Sequence, residues 1–136
     1  MKKLALIAAA GAAVTALAGC SQIATLKPVA GDSISSVRTA TIDVALANGI
    51  TFQSAPVCPA PDGSHFTCSG KATDGRAVTS EADQVTVAEV PAQYKNQVPP
   101  DAAETDPQIV IKINAGDATL YQGLVITVMD QNARTQ

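Results

Sequence analysis

The sequence is poor in aromatic residues and in basic charge. Its 136 residues include no Trp, two Phe, two Tyr and one His, and 9 Lys and Arg stand against 12 Asp and Glu. A hydrophobic core must therefore be built from Ile, Val, Leu and Ala. The acidic balance repels a phosphate backbone, so no nucleic-acid partner is expected.

Signatures of catalysis and of cofactor binding are also missing. Gly63-Ser64-His65 lacks the second glycine of a G-x-S-x-G nucleophile elbow, and Ser69-Gly70-Lys71 does not complete a P-loop. No second histidine is present to act as a base. The acidic residues fall mostly at predicted caps, turns and loops, where carboxylates are solvated. The sequence therefore predicts a protein that is not an enzyme and that needs no cofactor.

The N-terminus has the layout of a signal peptide. A positive start, Met1-Lys2-Lys3, precedes an uncharged run over residues 4–18. This run is shorter than the about 20 residues that a membrane-spanning helix needs. Leu17-Ala18-Gly19-Cys20 resembles the bacterial lipoprotein signal, in which the cysteine receives a diacylglycerol and becomes the first residue after cleavage. The resemblance implies that residues 1–19 are removed and that Cys20 is lipidated.

Ordinary cleavage at Ala16-Leu17-Ala18 is the alternative, and it would release a protein that begins at Gly19. The cysteine count favours the lipid, because three cysteines then become one anchor and one pair, Cys58 and Cys68. Two acyl chains suffice for stable attachment. We therefore expect lipid anchoring to the outer face of the cell membrane, with the membrane and an envelope protein as partners.

The mature chain has the length of one domain. Removal of residues 1–19 leaves 117 residues and takes away two lysines, so the net charge changes from −3 to −5. Residues 20–31 are small, polar and without a pattern, and we predict a flexible tether there. The alternative is that Ile23, Leu26 and Val29 pack on the domain. Residues 32–133 are predicted to form a single domain.

Hydrophobic spacing predicts the fold class of that domain as α+β. A helix is expected over residues 33–47, ended by Asn48-Gly49. Extended runs are predicted at residues 50–57, 65–70, 77–79, 85–90, 109–113 and 119–121, with residues 81–83 as a candidate bulge. Residues 124–130 fit either a strand or a helix. The expected architecture is one N-terminal helix packed on an antiparallel sheet of four to six strands, with one disulfide.

Residues 91–107 are predicted to form a long loop. They contain four prolines, three acidic residues and no apolar period. A loop of this length in a compact domain is usually functional or disordered. We expect it to be mobile, and it is the first candidate for a segment that contacts a partner.

Cys58, His65 and Cys68 form the densest group of reactive side chains. A disulfide between the cysteines is the default in an exported chain, because they flank a Pro-rich turn at the end of a predicted hairpin. A metal site formed by all three residues is a second interpretation, although a fourth ligand and the usual cysteine spacing are lacking. A redox-active pair is the third, although the C-x-x-C arrangement is absent.

These motifs also carry a resemblance to a known kind of domain. A helix, Val57-Cys58-Pro59, a short loop to Gly63, Phe66-x-Cys68 and an Asp74-Gly75 turn follow one another in the sequence. The arrangement resembles small exported Cys-Pro…Cys domains of actinobacteria such as mycobacteria and corynebacteria, a family of unknown function that is common on lipoproteins. The resemblance covers residues 33–90. It implies an α+β fold with bridged cysteines and no known activity.

The function expected from the sequence is that of a non-catalytic interaction module on a membrane-anchored envelope lipoprotein. The alternative is a small carrier or chaperone for an apolar envelope molecule, with a pocket between the helix and the sheet. An apolar cavity would favour the carrier, whereas a packed core would favour the module.

Overall fold

The computed structural model describes residues 30–135. Two α-helices and five β-strands make up this part of the chain, and two 3₁₀ helices lie between the third and fourth strands. In chain order the elements are α1 (Ala30–Ala47), β1 (Phe52–Val57), β2 (His65–Ala72), β3 (Ala77–Thr86), the 3₁₀ helices Val87–Glu89 and Ala92–Gln97, β4 (Pro107–Ala115), β5 (Ala118–Leu124) and α2 (Val125–Thr135).

The five strands form one antiparallel sheet in which each strand pairs with its neighbours in the sequence, in the order β1-β2-β3-β4-β5. The predicted α+β class is confirmed, as are the helix packed on the sheet and the single disulfide. Four tight connections have a glycine with positive φ, among them Gly63 in the β1–β2 hairpin and Gly116 in the β4–β5 hairpin. Left-handed backbone of this kind is accessible to glycine at little cost.

α1 packs along one face of the sheet through the apolar side of its surface. Val37, Ala40 and Val44, spaced three and four residues apart, are buried against Ile111 and Ile113 of β4. One polar pair is enclosed with them: Thr41 donates to the Val37 carbonyl at 2.7 Å, and its hydroxyl oxygen lies 2.8 Å from Ser80 Oγ. The space between α1 and the sheet is therefore filled by small aliphatic side chains, as the aromatic-poor composition requires.

β3 is one continuous strand, so the candidate bulge at residues 81–83 is wrong. Its pairing with β4 runs without a shift from Val78 opposite Ala115 to Thr86 opposite Pro107. Val78, Ser80 and Ala82 point inward, so Glu81 and Asp83 project from the opposite face. The acidic residues therefore fit the pleat of the strand and do not interrupt it.

The C-terminal segment, which the sequence left open between strand and helix, contains both. β5 ends at Leu124, and α2 begins at the next residue. Val125 and Val128, three residues apart, are buried in the same core as Val37. Asn132 Nδ2 donates to Asp43 Oδ2 at 2.6 Å, which joins α2 to α1.

α1 begins at Ala30, earlier than the predicted position, so the last two residues assigned to the tether are helical. The signal peptide, the predicted lipidation site Cys20 and the rest of the tether lie outside the described residues. Within residues 30–135, no helix is long and apolar enough to span a membrane.

Candidate functional site

The predicted disulfide is present at the base of the β1–β2 hairpin. The Cys58 and Cys68 sulfur atoms are 1.97 Å apart, and their Cα atoms are 4.2 Å apart. The hairpin turn is closed by backbone hydrogen bonds in both directions between Asp62 and His65, at 3.0 and 3.1 Å. Cys68 is 3 % exposed and belongs to the main core, where Cys58 packs against it. The bridge thus joins the end of β1 to the core side of β2.

His65, the third residue of the predicted metal site, does not lie on the same side of the sheet as Cys68. His65 and Cys68 are three residues apart on β2, so their side chains project from opposite faces of the sheet. Each sulfur is bonded to the other, which removes both thiolates as ligands. The deep burial of Cys68 is typical of a structural bridge and not of a reactive thiol.

β1 is an edge strand that is held close to β2. A Cβ atom at Gly70 would lie 2.8 Å from Pro56 N and 2.9 Å from Ser54 O, so glycine permits this approach. Arg38 of α1 donates from Nε to the Pro56 carbonyl at 2.7 Å. The pairing of β1 with β2 has two register shifts, which break the regular edge that a further strand would need.

The face of the sheet opposite α1, here called the outer face, is polar and accessible over its central part. The register aligns Thr67 of β2 with Glu81 of β3, Lys112 of β4 and Gln122 of β5, and all four are exposed. The next row contains Ser69 and Thr79. An antiparallel sheet commonly has one face packed and one solvated. The central part of the outer face is therefore a solvated surface of polar side chains that carries both an acidic and a basic residue.

An apolar feature interrupts this polar surface beside the disulfide. Val57 is 71 % exposed, the largest fraction among the exposed large hydrophobic side chains. It lines a shallow groove of about 300 Å³ on the outer face, here called the Val57 groove, together with Pro59, Thr67, Ser69, Thr79 and Glu81. The bridge at Cys58 fixes the backbone next to Val57, so the exposed valine is held in place at the groove.

An ion pair lies on the same face toward the hairpin turn. His65 Nδ1 is 2.8 Å from Asp83 Oδ1, its cross-strand neighbour. The hydrogen bond to Asp83 raises the pKa of His65 above 6.5, and the charges of Asp83, Glu81 and Asp62 act in the same direction. Positive charge on His65 is thus favoured by the acidic residues around it.

The predicted long loop at residues 91–107 covers the far end of the outer face. Val90, Tyr94 and Leu124 form a small buried cluster, against which Val98 and Val110 pack. The description of this segment as having no apolar period is wrong, because Val90, Tyr94 and Val98 pack on the sheet. They are spaced four residues apart around the 3₁₀ helix Ala92–Gln97, which turns them toward the sheet.

Gln97 ties this segment to the edge of the sheet. Its Oε1 accepts a hydrogen bond from the Leu124 backbone N at 2.8 Å, and Tyr121 Oη donates to the Leu124 carbonyl at 2.9 Å. A Cβ atom at Gly123 would lie 2.6 Å from Gln97 Oε1, so the carboxamide occupies the space of the missing side chain. Burial raises the pKa of Tyr121, which keeps its hydroxyl protonated as a donor.

A second groove lies on the helical side, at the end of the molecule where α1 begins. This groove of about 210 Å³, here called the α2 groove, is lined by Ser36, Ile109, Val125, Ile126, Met129 and Asp130. Ile126 is 39 % exposed and Met129 38 % exposed. Two apolar side chains of α2 therefore face solvent beside the first turns of α1.

Comparison of the chain with protein-family models, with curated proteins and with solved structures found no match.

Of the residues singled out in the sequence, Cys58 and Cys68 are joined, and His65 is directed away from them to Asp83. Among the described residues, no group of three or more His, Cys, Asp and Glu side chains is arranged to hold a metal ion. Sequence reasoning missed Val57 and Tyr94. Tyr94 had a readable signal, since Val90, Tyr94 and Val98 recur every four residues, but the exposure of Val57 follows only from the fold.

Proposed function

We propose that the chain is a membrane-anchored envelope lipoprotein whose folded domain acts as a non-catalytic interaction module. The proposed anchor is Cys20, at the end of Leu17-Ala18-Gly19-Cys20. The proposed contact surface is the central outer face with the Val57 groove. The domain would then stand on the outer side of the cell membrane and present this face to an envelope protein.

The observation that carries the proposal is the exposure of Val57 on a rigid, otherwise polar sheet face. Interfaces concentrate their binding energy in a few well-packed side chains, which are surrounded by contacts that exclude water. Val57 is 71 % exposed and lines one groove together with Thr67, Ser69, Thr79 and Glu81 of the two neighbouring strands. The adjacent disulfide holds the surface in one conformation, which reduces the entropy cost of binding.

The filled core supports the module over the carrier. A carrier needs an apolar cavity large enough to enclose its cargo. Val37, Ala40, Ile111 and Ile113, which meet between α1 and the sheet, are each no more than 1 % exposed. The Val57 and α2 grooves both open at the surface and do not penetrate this layer.

Capture from detergent-solubilised envelope tests the proposal with a matched pair of variants. Val57→Asp places a charge in the Val57 groove, whereas Leu46→Asp places the same charge on the last turn of α1, where the side chain is 51 % exposed. Both positions are solvated, so both variants are expected to fold. We expect the wild type and Leu46→Asp to retain a common protein and Val57→Asp to lose it. Equal retention by the two variants would refute the proposed surface, and recovery of lipid without protein would favour the carrier.

A further inference from the structure

The Val57 groove changes in polarity from one side to the other. Val57 and Pro59, both exposed, form an apolar wall at the β1 side, and Glu81 lies on β3 at the other side. Between them the register places the exposed side chains of Thr67 and Ser69 on β2. An apolar wall, two hydroxyl groups and one carboxylate therefore follow one another across three strands.

The span between the two sides suits one long side chain. Val57 lies opposite Ser69, which lies opposite Thr79, and Glu81 is two residues further along β3. Neighbouring strands are about 4.8 Å apart and residues two apart on a strand about 6.7 Å, so the backbones of Val57 and Glu81 are about 12 Å apart. Lysine and arginine bury a stem of three or four carbon atoms along apolar surface and keep the charged head in water. Such a stem fits the wall, and its head then points toward Glu81.

The Glu81 carboxylate is available to a cation from outside. Glu81 is the one charged residue in the groove lining. Its neighbour Asp83 is paired with His65, whereas Glu81 makes no ion pair within residues 30–135, even with Lys112 opposite it on β4. This part of the chain has twelve Asp and Glu against six Lys and Arg. An excess of negative charge attracts a basic partner.

We propose that the Val57 groove binds a lysine or arginine side chain of the envelope protein partner, with its stem against Val57 and Pro59 and its charged head at Glu81. The inference rests on the function proposed above, because it gives the chemistry of the partner at the same surface. A purely apolar side chain would desolvate Glu81 without pairing it, and an acidic one would be repelled. The hydroxyl oxygens of Thr67 and Ser69 can accept hydrogen bonds from the bound head.

Selection from a random peptide library tests this preference, with the full-length chain in detergent micelles as the bait. The wild type should enrich peptides that contain Lys or Arg. Glu81→Lys reverses the charge in the groove and should enrich peptides with Asp or Glu instead. A set of peptides without basic residues from the wild type, or the same basic peptides from both proteins, would overturn the proposal.

The affinities of one selected peptide separate Glu81 from the other charges of the domain. Glu81→Gln should weaken binding about threefold, the scale of one exposed ion pair, and Lys112→Gln should strengthen it about twofold by removing a competing cation. Glu104→Gln, outside the groove lining in the segment between β3 and β4, should leave binding unchanged. All three side chains are exposed, so the variants are expected to fold. Equal weakening by Glu81→Gln and Glu104→Gln would overturn the contact.

The same peptide with norleucine in place of its basic residue completes a double-mutant cycle. Norleucine keeps the apolar stem and lacks the charge, so Glu81→Gln should weaken the binding of this peptide no further. Equal losses with both peptides would overturn the contact at Glu81, and loss of both in Val57→Asp would then still support the proposed surface. Binding to Val57→Asp as tight as to the wild type, or the absence of any selected peptide, would contradict the surface itself.

Discussion

Reduction of the Cys58–Cys68 bridge should cost this domain a large share of its stability. The bridge closes a loop with a sequence separation of 10. In the chain-entropy model, a loop of that size contributes about 2.7 kcal/mol at 25 °C, because the reduced unfolded chain gains conformational freedom that the bridged one lacks. Single domains are held by about 5 to 15 kcal/mol in total. The melting temperature should therefore fall by about 10 to 20 °C.

Urea unfolding of the oxidised and reduced wild type is the appropriate assay, because both sulfur atoms remain in the protein. Substitution is less clean: Cys68 is buried in the core, so Cys68→Ser adds the cost of enclosing a hydroxyl group, about 1 to 3 kcal/mol. Cys58→Ser with Cys68→Ser should therefore be less stable than the reduced wild type. Equal unfolding free energies with and without reductant would refute the structural role of the bridge.

Three further predictions concern other parts of the outer face and its edge. The pKa of His65, followed by NMR, should lie above 6.5 and fall toward that value in Asp83→Asn, because the hydrogen bond to Asp83 favours the imidazolium. The pair should stabilise the folded state below about pH 6.5 and lose this contribution as the pH rises through the raised pKa. Gln97→Ala removes the acceptor of the Leu124 amide and should lower the unfolding free energy by about 1 to 3 kcal/mol in a urea titration. Limited proteolysis should spare residues 91–106 in the wild type and cut them in Tyr94→Ala, because Tyr94 is buried against the sheet.

Each of these predictions has a control in the same element. Glu81→Gln affects His65 through charge alone and should shift its pKa less than Asp83→Asn does. Asn96→Ala and Gln93→Ala change exposed side chains on the 3₁₀ helix of Gln97 and Tyr94, and both should behave as the wild type does. A pKa of His65 at or below 6.5, an unaltered Gln97→Ala, or rapid cleavage of the wild-type segment would each contradict the corresponding contact.

Local patterns were sufficient to predict the helix and the hairpins. Val37, Ala40 and Val44 recur at helical spacing, and Ile109, Ile111 and Ile113 alternate as a half-buried strand requires. Asn48-Gly49 and Asp74-Gly75 mark turns because glycine there has positive φ. The disulfide was predictable because a Pro-rich turn brings two cysteines of one hairpin together.

Features that depend on contacts distant in sequence were not predictable in this way. The segment 91–107 reads as a loop because its four prolines obscure the apolar spacing of Val90, Tyr94 and Val98. Its packing also depends on Val110 and Leu124, which come later in the chain. Residues 124–130 satisfy strand and helix patterns equally, and the boundary at Val125 is set by packing on the core.

The exposure of Val57 is another feature that depends on contacts distant in sequence. Its position at the end of β1 suggests a buried side chain, but the register shifts in β1 and the pairing opposite Ser69 place it on the outer face. No local sequence pattern predicts that the Val57 side chain is exposed. The proposed contact surface is therefore a property of the assembled sheet.

Photo-crosslinking in intact cells tests the central claim most directly. A photoreactive amino acid at position 57, in the Val57 groove, should give an adduct with one envelope protein of defined mass, because it replaces the side chain that is proposed to enter the interface. The same amino acid at position 46, on the exposed end of α1, should give no such adduct. A protein adduct from position 46 and none from position 57 would contradict the account, as would the absence of a protein adduct from both.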